Sequence, residues 1–154
     1  MNFHLHLDDE LVQFVPLEEP FSVDPCVPTR EVFETLKQRR KGSILICEQG
    51  KLLGVFTERD ALRLMAEQAD LAAPIGDVMT KSPVTIAIDA TVGEAIRTMS
   101  AGGYRRLPVL DAQQVPVGIF KVSHIMNYLV SHFPSYIYNL PPKPHTATQT
   151  REGA

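Results

Sequence analysis

The chain carries the same pattern twice. Residues 20–48 align without a gap on residues 83–111 at an offset of 63, so that Pro20, Glu31 and Thr35 recur as Pro83, Glu94 and Thr98. Apolar character survives where identity does not, with Val23 against Ile86, Phe33 against Ile96, Leu36 against Met99, Ile44 against Leu107 and Ile46 against Val109. Gly54 and Phe56 then match Gly118 and Phe120 at an offset of 64, which puts one extra residue into the second copy around 112–116, in a turn where lengthening is cheap. A unit of this size leaves one face of its sheet uncovered. Two copies in tandem are therefore expected to bury those faces against each other and to leave a cleft where they meet.

Periodicity supplies the elements inside each copy. In the second, Thr91-Val92-Gly93-Glu94 reads as a capping box, Val92, Ala95, Ile96 and Met99 form an apolar stripe, and Gly102-Gly103 ends the helix. The first copy answers with Val32, Phe33 and Leu36, and with Lys37, Arg39, Arg40 and Lys41 in a last turn where cations complement the helix dipole. Hairpins are expected at 43–47 with 52–56 and at 107–110 with 117–120. Second helices follow, carrying Ala61, Leu62, Met65 and Ala69 in one copy and Ile125, Met126, Leu129 and Val130 in the other. The predicted class is α+β, two β-α-β-β-α repeats packed sheet to sheet. The first copy with its N-terminal lead-in occupies 1–74, the second 75–133, and a Pro-rich tail 134–154. In the lead-in, Leu7, Leu11 and Phe14 behind Asp8, Asp9 and Glu10 fit either a short amphipathic helix stopped by Pro16 or an unordered approach. Tyr136 to Leu140 of the tail are expected to dock on the domain or on a second copy.

Bulk chemistry excludes several classes of function. With 15 basic and 18 acidic side chains the net charge is −3, so no excess favours nucleic acid as a partner. Cys26 and Cys47 show no metal or redox spacing and read as buried thiols of a reducing compartment. His4, His6, His124, His132 and His145 lack ligand spacing, so no metal is expected. There is no basic leader and no apolar run near the ~18 residues of a membrane span, hence the expectation of a soluble, cytoplasmic protein with no membrane partner. No phosphate loop, Gly-x-Ser-x-Gly elbow or Cys/His pair proposes an enzyme.

The candidate chemistry sits at Gly54-Val55-Phe56-Thr57-Glu58-Arg59-Asp60, a strand running into a helix start. Thr57 and Asp60 cap a helix on their own account, and that alone explains them. They also suit a ligand: a carboxylate accepts both hydroxyls of a cis-diol, and a helix N-terminus favours an anion. In the second copy Lys121 replaces Thr57 and His124 replaces Asp60. That junction loses its diol acceptor and gathers two cations at a helix N-terminus, which is disfavoured unless an anion sits there.

Together with Ile75-Gly76-Asp77-Val78-Met79-Thr80 and Arg105-Arg106-Leu107-Pro108-Val109, this junction resembles the tandem cystathionine-beta-synthase-type (CBS) domain pair, or Bateman module. The likeness covers roughly Val15 to Phe133, although the opening Val15 to Pro20 is degenerate. It implies two repeats about a pseudo-twofold axis, a homodimer formed through helices, and an adenosine-containing ligand (AMP, ADP, ATP or S-adenosylmethionine) with no required cofactor. Occupancy would pass to an attached or separate effector protein, without catalysis. By resemblance Thr57, Arg59 and Asp60 face Thr85 and the Arg105-Arg106-Leu107 backbone, with Arg59 or Arg106 reaching a phosphate. The second junction, Ser22, Lys121 and His124, is either empty or holds a more anionic ligand with Lys121 on phosphate. The alternative function is a structural dimerisation or partner-binding domain with vestigial clefts.

Overall fold

The computed structural model describes residues 7–132. The expected docking of Tyr136 to Leu140 lies outside the described residues, as do His4, His6 and His145. The first repeat runs β1 (Ser22–Val23), α1 (Thr29–Arg39), β2 (Ser43–Glu48), β3 (Lys51–Thr57) and α2 (Glu58–Ala66). One helical turn, α3 (Ile75–Val78), and β4 (Thr80–Lys81) lead into the second repeat, which runs β5 (Ile86–Ala87), α4 (Val92–Gly102), β6 (Arg106–Leu110), β7 (Pro116–Lys121) and α5 (Val122–His132). In each repeat the first strand lies parallel to the second, and the second pairs antiparallel with the third. Both hairpins break register at the same place, Ile46/Cys47 and Val109/Leu110.

Local chemistry explains the turns and caps. The first hairpin closes on Gln49 and Gly50, both at positive φ (51° and 81°). The second is longer and folds around Asp111, whose Oδ1 accepts from the amides of Gln113 and Val115 at 2.9 Å each. The Thr91 hydroxyl accepts from the Glu94 amide at 3.0 Å, and Gly103 ends α4 in the left-handed region at φ 67°.

Strand alternation builds three apolar layers. Ile44 and Ile46 of β2 join Val32, Leu36, Phe56 and Leu64 in one core, and Leu107 and Val109 of β6 join Val92, Ala95, Met99 and Phe120 in the other. Leu45 and Ile119, 1% and 4% exposed, point the other way and meet at the seam between the sheets, as expected for repeats packed face to face.

The repeats also exchange their opening turns. Ile75 is fully buried in the first core, and β4 pairs with β3 through Gly54↔Lys81 and Val55↔Thr80. Reciprocally, Val12 and Val15 are buried in the second core, while Glu18 pairs with Ile119 by main-chain bonds of 3.0 and 2.8 Å. The degenerate stretch before Pro20 is thus the structural equivalent of 75–82. Gly54 permits the crossing, since a Cβ there would meet the Met79 side chain and, at 2.8 Å, the Thr80 carbonyl.

Several expectations are corrected. The lead-in is not an amphipathic helix: Val12–Phe14 form a single 3-10 turn whose amides at Val12 and Gln13 donate to Ala90 and Ile88, so Val12 and Val15 face inward and Phe14 is 66% exposed. Cys26 is exposed and Cys47 half-buried. On α2, Leu62 and Met65 turn outward, Ala69 lies beyond the helix end, and Met126 of α5 is likewise exposed. Among the described residues, no helix is long and apolar enough to cross a membrane.

Candidate functional site

A cleft of about 470 Å³ opens between the repeats where β3 runs into α2. That volume lies in the range of roughly 300–1,000 Å³ typical of small-molecule sites. Its walls are apolar, Leu45 and Val55 from one sheet against Pro108 and Ile119 from the other. Its rim is polar: Thr57, Arg59, Asp60 and Thr80 on the side of the first sheet, Arg105 and Arg106 on the other.

The carboxylate of Asp60 divides its oxygens between two tasks. Oδ2 accepts from both the amide and the hydroxyl of Thr57 at 2.9 Å, and the Asp60 amide donates back to the Thr57 hydroxyl at 3.3 Å, completing a capping box. Oδ1 is held only loosely, with the Thr80 hydroxyl at 3.5 Å and the Arg63 guanidinium at 3.8 Å. Capping therefore leaves one carboxylate oxygen available to an incoming donor.

Opposite, Arg106 reaches across from β6 and lays its guanidinium against Gly42, where a Cβ would come within 2.6 Å of Nη1. Its Nε is buried and finds no acceptor among the described residues. Such an orphaned donor beside a cleft suits an anionic oxygen supplied from outside. Arg59 and Arg105 are exposed at the rim.

Of the residues expected at this site, Thr57, Arg59, Asp60, Arg105 and Arg106 line the cleft; Thr85 and Leu107 do not. Thr85 is half-buried, and the side chain of Leu107 is wholly inside the second core. Tyr104, 41% exposed at the cleft mouth with its ring packed on Gly102, was not singled out, although its place beside Arg105 was a usable signal. Thr80 was not singled out either, because it arrives by the exchanged strand.

The second junction has different chemistry. Lys121 Nζ lies 2.6 Å from Glu18 Oε2, and Lys41 Nζ lies 3.3 Å from Glu18 Oε1. His124 Nδ1 sits 2.9 Å from the Pro16 carbonyl, which fixes the proton on that nitrogen, and Ser22 is exposed on β1. Burial pushes the Glu18 carboxyl upward, but the ammonium groups of Lys121 and Lys41 outweigh it and hold the group below the usual carboxylate range. The anion expected beside Lys121 is here a side chain of the protein itself, and the second cation it holds is Lys41 rather than His124.

Two β-α-β-β-α repeats sharing a sheet-to-sheet seam, with a polar-rimmed slot at one end, define a pseudo-symmetric paired-repeat domain. The family model described as "CBS domain" matches residues 12–67 and 75–131, and the chain belongs to that family. The first match begins at the exchanged turn. The CBS domain-containing protein YhcV of Bacillus subtilis is 34% identical over 99 residues, covering 64% of this chain and 70% of its own. Among solved structures, CBSX2 in complex with AMP superposes with a TM-score of 0.71 at 23% identity over 79% of this chain and 97% of its own. The CBS domain pair of MJ0100, in complex with 5'-methylthioadenosine and S-adenosyl-L-methionine, gives 0.69 at 23% identity over 77% and 98%. At these identities the likeness to the solved structures is one of fold.

Proposed function

We propose that the chain is a regulatory module that binds an adenosine-containing ligand (AMP, ADP, ATP or S-adenosylmethionine) in the cleft closed by α2, and that it acts as a cytoplasmic homodimer on an effector protein. The observation that carries this reading is Asp60 Oδ1, loosely held at the rim of a cleft of nucleotide size. It accepts ribose hydroxyls, the apolar seam takes the base beside Tyr104, and Arg106 with Arg59 meets phosphate. AMP on CBSX2 and S-adenosylmethionine on MJ0100 show such ligands on the same fold. A ligand touching both repeats favours one relative orientation and so shifts a population; no residue here is assigned a catalytic role. For the homodimer the support is apolar side chains turned outward on α2 and α5: Leu62 and Met126, at equivalent positions, are 64% and 55% exposed, and Met65 beside Leu62 is 53% exposed.

Calorimetric titration with AMP, ADP, ATP and S-adenosylmethionine tests the reading. At least one should bind and raise the melting temperature with concentration, and Asp60→Ala should abolish the response. The rival, a dimerisation or partner-binding domain with vestigial clefts, draws support from the capping box, which by itself accounts for Thr57 and one oxygen of Asp60. On that rival, Asp60→Ala lowers stability slightly and no adenosine compound binds either form.

A further inference from the structure

We propose that Glu18 is a built-in anion that closes the second inter-repeat cleft, so that the chain takes one anionic ligand where its symmetry provides for two. The inference rests on the nucleotide reading of the first cleft, but its own observations concern other side chains, at the junction of β7 and α5. There Lys121 ends β7 immediately before α5, in the place Thr57 holds before α2. Lys41 stands where the first cleft has Tyr104, at the offset of 63. Two ammonium groups converging on one point, one of them on the residue just before an eleven-residue helix, make a seat for a phosphate or carboxylate.

That seat is filled from within. Each oxygen of Glu18 takes one ammonium group, Oε2 from the second repeat at 2.6 Å and Oε1 from the first at 3.3 Å. The three side chains are 18%, 22% and 28% exposed, so the cluster is sheltered and loses less to solvent screening than a surface pair would. Glu18 cannot drift out of place. Its amide and carbonyl are both bonded to Ile119, the preceding Leu17 packs on Gly118, and the Pro16 carbonyl is bonded to His124. A dissociable anion entering here must displace a carboxylate that is covalently present and held by the sheet. By strand register the counterpart of Glu18 at the first cleft is Thr80, since Thr80 pairs with Val55 as Glu18 pairs with Ile119, and there a neutral hydroxyl takes the place of the carboxylate.

The test compares wild type with Glu18→Gln, which keeps the shape and removes the charge. Wild type is expected to bind one AMP per chain and to show no isotherm with inorganic pyrophosphate attributable to the second cleft. Glu18→Gln is expected to gain a pyrophosphate site that is lost again in Glu18→Gln with Lys121→Met, while AMP, which finds no diol acceptor there, stays at one per chain. In parallel, amine acetylation of wild type, read by mass spectrometry, should label Lys121 equally with and without AMP or pyrophosphate. Two AMP per wild-type chain, ligand protection of Lys121 in wild type, or a folded Glu18→Gln protein with no pyrophosphate site would each overturn the proposal. If wild type binds no AMP, the nucleotide reading of the first cleft fails while the pyrophosphate comparison still decides the second. Should Glu18→Gln not fold, the acetylation pattern of wild type decides.

Discussion

Asp60 serves the helix with one oxygen and the cleft with the other, and its variants should separate the two roles. Asn at 60 keeps an acceptor for the Thr57 amide but loses the charge, so Asp60→Asn is expected to weaken adenosine binding at least tenfold while costing no more than about 1 kcal/mol of stability. Thermal denaturation with calorimetry reads both. Glu18 makes a pH prediction. Its folded-state pKa lies below its unfolded value, so its contribution is complete above the unfolded value and is lost as pH falls through the folded one. Wild type should exceed Glu18→Gln by about 1–3 kcal/mol at pH 7, with the gap closing below about pH 4 in urea titrations. Spacing alone revealed Thr57 and Asp60 because capping is local. It could not reveal Glu18, which meets Lys121 across 103 residues through the exchanged strand. Leu107 was expected at the site through its backbone alone, and strand alternation agrees that its side chain goes to the core while those of Arg106 and Pro108 go to the cleft.

Among the elements, those inside each copy were legible because helix and strand periods repeat at a fixed offset, down to the extra residue of the second hairpin. The segment 12–18 was not, since its spacing also fits a helix and only the neighbouring repeat shows which face is buried. The exchange has measurable effects. Ile75→Ala should cost about 2–5 kcal/mol and should speed amide exchange in β2 and β3 of the first repeat, although Ile75 follows that repeat in sequence. Val12→Ala should do the reverse, loosening β6 and β7 by about 2 kcal/mol. If each variant loosens the core nearer in sequence instead, the packing described here is wrong.

For the molecule as a whole, shared turns and a shared seam predict a single cooperative unfolding transition, with fluorescence and circular dichroism coinciding. The outward faces of α2 and α5 bear on assembly. Leu62→Lys combined with Met126→Lys should leave the circular dichroism spectrum unchanged and, if the homodimer forms there, should halve the mass measured by light scattering. The linear division of the chain into 1–74 and 75–133 does not follow its cores. Every residue of the first core, from Phe21 to Met79, falls between Pro20 and Pro83, whereas the second core draws Leu7, Val12, Val15 and Leu17 from the far end of the chain. A chimera joined at residue 74 would graft a foreign plug into the recipient's interior. The workable splice points are the two prolines the copies hold in common, and a circular permutant opened at Pro20, with 7–19 relocated behind His132, would turn the interlocked pair into two consecutive segments, each contiguous through its own core and joined only at the seam.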